Sequence, residues 1–479
     1  MGNPNAKRNI LAILAILLLL GLLGGMIWYD RQSKLSVNQE GPSYTQTTVN
    51  KDTTSESDTA SSEEASDDTS GKENDQETVS PQNKQKTSQQ TITESPALAN
   101  LEMKDTASDF QPQSNKVTIR SLGGVTLSQS INQMANSGNE MYQETLKQRV
   151  EEGYQPSEDS QHGYDFGLML EDVAPYVGYA DVTIGQMNQP VAYPQLPQSD
   201  FPTPNAPSAI FNDLQEIGVD YLALASGHIY DKGASGIQAS ISNAKNAQLN
   251  VLGAFTSQED MDTARIEEIN GIKVGFLSYT MDLNGNLLAE GETHLTSFFT
   301  QDMMAEEISA LKSMADAVVV NVYTSEQTSP ETDEHVTSTL QTIADAGATV
   351  IIGQNPNALQ PFAWLNDKAT LVLYSQASFL TSALEADAKV SGIFDFTLAK
   401  SGDQVVVENA KFMPTITLGT ANDQYFRTVP LADYQKYEIP EGQSLWQTIV
   451  DRMNSNGTDI EIVSHLETNQ SVEQVDTHR

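Results

Sequence analysis

Cysteine is absent from the 479 residues. Its absence excludes disulfides, thiolate zinc sites, cysteine nucleophiles and lipid attachment through a thiol. Histidine is nearly as scarce, with six in the chain, so an imidazole-rich metal centre would have to draw on His162, His228, His294, His335, His465 and His478. Basic residues are outnumbered: 26 Lys and Arg stand against 64 Asp and Glu, a formal net charge of −38. A chain this acidic is repelled by nucleic-acid phosphates and by anionic lipid headgroups, so no nucleic-acid partner is expected. Apolar residues make up 38% of the chain, against roughly 45–50% in an ordinary globular protein. Part of the chain is therefore expected not to pack.

One long apolar run is present. From Ile10 to Trp28 no charge interrupts ILAILAILLLLGLLGGMIW, about 28 Å as a helix and enough to cross a ~30 Å hydrocarbon core. Lys7 and Arg8 precede it, and Trp28 and Tyr29 stand where an interfacial aromatic belt would. The expectation is a signal-anchor over 10–29 behind a short cytoplasmic stretch, 1–9, with the rest of the chain outside a cell membrane crossed once. A cleaved signal peptide is the alternative, although no A-x-A site follows the run. Residues 30–114 are rich in Ser, Thr, Glu, Asp, Gln and Asn, and 53–80 contain one hydrophobe besides alanine. Such a segment cannot bury enough surface to offset its chain entropy, so it reads as a disordered acidic linker.

Beyond residue 114 short β-branched runs alternate with amphipathic segments. VTIRSLGG (117–124), ADVTIG (180–185), DYLALAS (220–226), IKVGFLSYT (272–280), AVVVNVYT (317–324), ATVIIG (348–353) and ATLVLYS (369–375) are nearly continuously apolar. That pattern suits strands covered on both faces. Helix-like stretches at 207–220 and 299–317 lie between them, and repeated strand–helix order argues an α/β architecture. SGIFDFTLAK and DQVVVENAKFMP read as closing antiparallel strands. The domain is expected over 115–445, followed at 446–479 by a C-terminal helix or a frayed tail, with fraying from about Asn454.

At the strand ends the chain resembles the bacterial capsule-synthesis proteins of the CapA/PgsA type, associated with poly-gamma-glutamate capsules and related to calcineurin-like metallophosphoesterases. The likeness runs through VTIRSLGGVTLS, ADVTIGQMNQP, PNAP with LALASGHIYDKGASGI, INGIKVGFLSYT, DAVVVNVYTSE, AGATVIIGQNPNALQP and LYSQASF, in the family's order from about 117 to 414. The resemblance implies an α/β/β/α sandwich with helices outside, whose strand ends converge on one cleft. In the superfamily, carboxylates, amides and imidazoles at those ends hold two divalent ions that activate water.

This chain departs from that pattern at most of the implied positions. Gly124 replaces the acid of Gly-Asp, and Gln186 and Asn188 replace an Asn-x-Glu pair. Ser226 and Gly227 replace two amides, while His228 and Asp231 are kept. Tyr323, Thr324 and Ser325, with Glu326 beyond, stand for His-Trp-Gly; Gln354, Asn355, Pro356 and Asn357 stand for a His-rich loop; Gln376, Ala377 and Ser378 stand for Leu-Gly-Asn. Neutral amides are poor ligands for a transition-metal pair, so no metal and no cofactor are expected. His228 also reads as a structural histidine beside Asp231, and Gln354, Asn355 and Asn357 as turn residues around Pro356. The leading expectation is a non-catalytic, membrane-tethered binding or scaffolding component of capsule or cell-envelope polymer synthesis, touching the envelope polymer or capsule-synthesis membrane proteins. The alternative is a metal-dependent phosphoesterase or polymer-modifying enzyme with a site rebuilt on His228, Asp231 and Glu326.

Overall fold

The continuously apolar runs become strands with both faces covered. The computed structural model describes residue 110 and residues 112–154, 163–324, 329–354, 357–420 and 424–468. The expected membrane span, most of the linker, Glu326 and Asn355 lie outside the described residues. Among the described residues no helix is long and apolar enough to cross a membrane.

The larger sheet contains β1 (Lys116–Val125), β2 (Val182–Met187), β3 (Tyr221–Ala223) and β4 (Asn250–Leu252) as parallel neighbours. On the other side of β1 the chain returns antiparallel, so that the order runs β14-β13-β12-β1-β2-β3-β4. The smaller sheet has the order β5-β6-β7-β8-β10-β9. In it β6 (Ile272–Thr280), β7 (Ala317–Tyr323), β8 (Val350–Gln354) and β10 (Thr370–Gln376) are parallel. Its edges β5 (Ile266–Ile269) and β9 (Leu359–Leu365) are antiparallel. In the larger sheet, β11 (Ser378–Leu380) adds a short strand beside β1, while β12 (Val390–Ser401), β13 (Gln404–Thr420) and β14 (Gln424–Pro430) form the antiparallel meander.

The two sheets pack face to face through one apolar cluster, in which Ile119, Val182 and Ile184 meet Phe276, Val319, Ile352 and Leu373. Helices α1 (Gln129–Met134), α2 (Glu140–Glu151), α3 (Ala209–Glu216) and α4 (Gly233–Asn246) lie on the outer side of the larger sheet. There Phe211, Leu214, Ile237 and Ile241 cover Leu122, Met187 and Leu222. Helices α5 (Gln301–Lys312) and α6 (Glu334–Asp345) cover the smaller sheet, with Ile308, Leu311, Leu340 and Ile343 against Val318, Val320 and Ile351. Their starts are set locally: the Thr300 hydroxyl accepts from the Met303 amide, and the Asp333 carboxylate from those of His335 and Val336. A strand pressed between a helix layer and a second sheet cannot alternate apolar with polar, which explains the texture of the sequence. The result is the α/β/β/α sandwich that the strand–helix order and the family resemblance imply.

The expected fraying from about Asn454 needs correcting. Helix α7 (Gly442–Met453) stands at this end of the chain, and within residues 454–468, expected to fray, Glu461 and Ile462 pair into the sheet. There β15 (Glu461–Ile462) pairs in parallel with Lys411 and Phe412 of β13, and Ile460 and Leu466 are buried. The physical reason begins on β1. Arg120 is only 2% exposed, and a buried guanidinium must find acceptors. Its Nε donates to Asp395 of β12 at 2.7 Å, Nη1 to the Tyr176 carbonyl, and Nη2 to the Glu467 carbonyl at 3.0 Å. The last described residues therefore complete a charge set in the first strand.

Candidate functional site

Register brings the implied positions to one end of the sandwich. Gly124 at the end of β1 stands opposite Gln186 on β2 and Ser378 on β11, Gln186 opposite Ala223 on β3, and in the other sheet Tyr323 is opposite Gln354. The two sheets also meet there. Gln354 Nε2 lies 3.4 Å from the Leu122 carbonyl and 3.4 Å from Gln376 Oε1. Gln376 in turn donates to the Ser121 and Gly392 carbonyls at 2.7 and 3.0 Å and accepts from the Ser121 hydroxyl at 2.9 Å. Gly124, Gln186, Asn188, Ser226, Tyr323, Gln354 and Ser378 thus line one seam. Asn357 is half-buried just after β8, and Asn355 and Glu326 fall outside the described residues.

Two of the vacated positions are filled. A Cβ placed on Gly124 would lie 2.2 Å from Asn188 Nδ2. Asn188 is buried at 3% exposure and held there, its Nδ2 donating to the Thr126 hydroxyl at 2.9 Å; that hydroxyl lies 3.2 Å from Ser378 Oγ. An acid at position 124 and this placement of Asn188 exclude each other. Gly227 repeats the arrangement: its Cβ would meet the Tyr323 ring at 3.0 Å, from the opposite sheet. At these two implied positions neighbouring side chains occupy the space that a larger side chain would use. The described residues at the implied positions do not fit a two-ion centre, which needs several anionic or imidazole donors. Among the described residues no three His, Cys, Asp or Glu side chains gather to hold an ion.

What the seam offers is neutral polarity. Gln186 Nε2 donates to the Met187 and Ala225 carbonyls at 3.1 and 3.2 Å. Its Oε1, together with Asn188 Oδ1, Ser226 Oγ and Gln354 Oε1, is buried with no hydrogen-bond partner among the described residues. Two residues that sequence reasoning passed over join them. Ser278 on β6 and Asn321 on β7 are register partners, both buried, and the Ser278 hydroxyl and both polar atoms of the Asn321 amide lack partners among the described residues. Their signal was a lone polar residue inside an apolar run, as in AVVVNVYT. Unpaired buried amides cost about 1–3 kcal/mol each, so this layer holds water or a hydrogen-bonding ligand better than it holds charge.

His228 and Asp231, on the loop after β3, come together as expected. His228 Nδ1 is 2.7 Å from Asp231 Oδ2, and the imidazole is buried against the edge of Phe201, centroids 5.2 Å apart. Asp231 also accepts from the side-chain amides of Asn284 and Asn286, at 3.1 and 3.0 Å. Asn284 further donates to the Pro202 carbonyl. The pair ties three loops together at the mouth of the seam.

The family model described as bacterial capsule synthesis protein PGA_cap matches residues 118–383, more than half of the chain. This chain belongs to the PGA_cap family. The chain is 25% identical over 255 residues to the capsule biosynthesis protein CapA of Bacillus anthracis, covering 52% of this chain and 61% of that protein. It is 24% identical over 191 residues to the PGA biosynthesis protein CapA of Bacillus subtilis strain 168, covering 40% of this chain and 50% of that protein. The match therefore spans less than two thirds of either relative. Among solved structures, a novel phosphatase from Mycoplasma pneumoniae is 11% identical with a TM-score of 0.36, covering 64% of this chain and 95% of that one. A score that low says nothing about chemistry. PGA_cap membership supports a capsule-related role.

Proposed function

We propose that this PGA_cap protein is a membrane-anchored, extracellular component of capsule or envelope polymer synthesis that binds or scaffolds and performs no phosphoester chemistry. One observation carries the reading: Asn188 and the Tyr323 ring occupy the space that side chains at Gly124 and Gly227 would need. A site that has lost ligands can be refilled by a few substitutions, whereas one whose space has been taken has been rebuilt for something else. The remaining layer of carboxamides and hydroxyls suits hydrogen bonding to a neutral or partly hydrated group. The full-length protein, incubated with manganese, zinc or iron and desalted, should retain less than about one equivalent, since a folded site holding ions tightly would keep them. Its thermal midpoint should stay unmoved by those ions. Stoichiometric metal, with phosphodiester turnover abolished by His228→Ala or Asp231→Ala, would overturn the reading.

A second reading rests on the His228–Asp231 pair, in which a carboxylate orients an imidazole as it does in general-base catalysis. Under that reading His228→Ala would remove a chemical rate while leaving the fold intact. Under the first it lowers the unfolding midpoint, because the pair joins loops.

A further inference from the structure

A cavity among the described residues lies away from the strand-end seam. It measures about 430 Å³, within the usual range for small-molecule sites. Gln129, Asn132 and Gln133 from α1, Asn136 and Asn139 from the turn after it, and Gln198 from the loop beyond β2 line it. Six of its ten lining residues therefore carry carboxamides, and none is lysine, arginine or histidine. The one charged group, Asp200, accepts the Gln129 backbone amide at 3.1 Å. Tyr164 supplies the one aromatic ring.

Two of these amides end in unsatisfied atoms. Asn132 is only 4% exposed, and its Oδ1 has no hydrogen-bond partner among the described residues. The same holds for the buried Nε2 of Gln198. One is an acceptor and the other a donor, and both line the same cavity. Asn136 and Asn139 spend their carbonyls locally, on the Gly138 amide and on the first turn of α2, which leaves their NH₂ groups for the cavity.

We infer that this cavity is a binding site for a neutral saccharide. The chemistry narrows the ligand by elimination. An anion would meet a carboxylate and no cation, in a chain already at −38. A metal ion would find one carboxylate and amide oxygens. An apolar ligand would strand the carboxamides. A sugar hydroxyl is donor and acceptor at once, so it pairs with Asn132 Oδ1 and Gln198 Nε2 alike. A sugar hydroxyl can also stand in for water at such atoms without losing hydrogen bonds. The cavity shares no residue with the seam, so this inference stands apart from the proposed function and can fail without it.

The test is calorimetry on the full-length protein, purified in a detergent without a sugar headgroup, titrated with N,N′-diacetylchitobiose, maltose and lactose. Glucuronate, inorganic phosphate and a γ-linked glutamate tripeptide serve as anionic probes. Saturable binding of at least one neutral disaccharide is expected, weakened roughly tenfold or more by Asn132→Ala and by Gln198→Ala, about one hydrogen bond's worth of affinity. Gln198 is partly exposed, so its variant should keep the parent's thermal midpoint and decides the matter if Asn132→Ala misfolds. Silence from all three disaccharides, stronger binding of an anionic probe, or wild-type affinity in Gln198→Ala would overturn the inference.

Discussion

At the scale of single residues, the pairing of Gly124 with Asn188 makes a prediction that separates a vacated site from a rebuilt one. Gly124→Asp would return the acid that the family pattern has at that place, but its Cβ would enter the 2.2 Å gap to Asn188 Nδ2. Overpacking of a buried site costs about 1–3 kcal/mol, and the denaturation midpoint should fall accordingly. Asn188→Ala in the same chain should recover part of the loss, a non-additivity expected of residues in contact. A stable Gly124→Asp single variant would mean that Asn188 yields easily and that the position is merely empty. The substitutions themselves were legible in the sequence, because the flanking motifs set their places. Their filling was not. Asn188 lies 64 residues along from Gly124 and Tyr323 lies in the other sheet, and no periodicity links them.

Among the elements, the strands were the most readable part of the chain. Residues 117–124, 272–280, 317–324 and 369–375 fall within a residue or two of β1, β6, β7 and β10. Burial on both faces forces such runs to be apolar throughout. Strand β3 is as short as β4 but sits within the apolar run 220–226, whereas β4 and β15, like β5, β9 and β14, stand in no such run and escaped notice. The segment after α7 was misread for a further reason: Arg120 holds it through the backbone carbonyl of Glu467, a contact indifferent to side-chain identity. Arg120→Met should therefore loosen this segment while leaving Asp395 buried without its partner. Losing one member of a buried ion pair costs about 3–5 kcal/mol. Urea unfolding would register that loss, and amide exchange at residues 461–467 should accelerate with it. Pairing Arg120→Met with Asp395→Leu should restore much of the stability, since the isolated charge is the costly part.

At the scale of the whole molecule, the proposed topology places the sandwich outside the cell at the end of an acidic tether. Protease added to intact, wall-less cells should cut within 53–80 and release a soluble fragment carrying the sandwich. Protection of that region while the membrane is unbroken would end the proposal. The sandwich itself has a directionality that follows from Arg120. Strand β1 comes first in the sandwich, yet besides β2 it pairs with β11 and with β12, whose Asp395 lies 275 residues downstream of Arg120. Its guanidinium waits longer still, until Glu467 has been made. Contacts of such long sequence separation form late, because the loop must close before they can repay its entropy. A growing chain therefore carries an open sheet edge until β12 has been made, and a guanidinium short of one acceptor until Glu467 has. The sandwich cannot lock before residue 467 has been made, and whatever machinery handles the chain until then meets a pliable polypeptide.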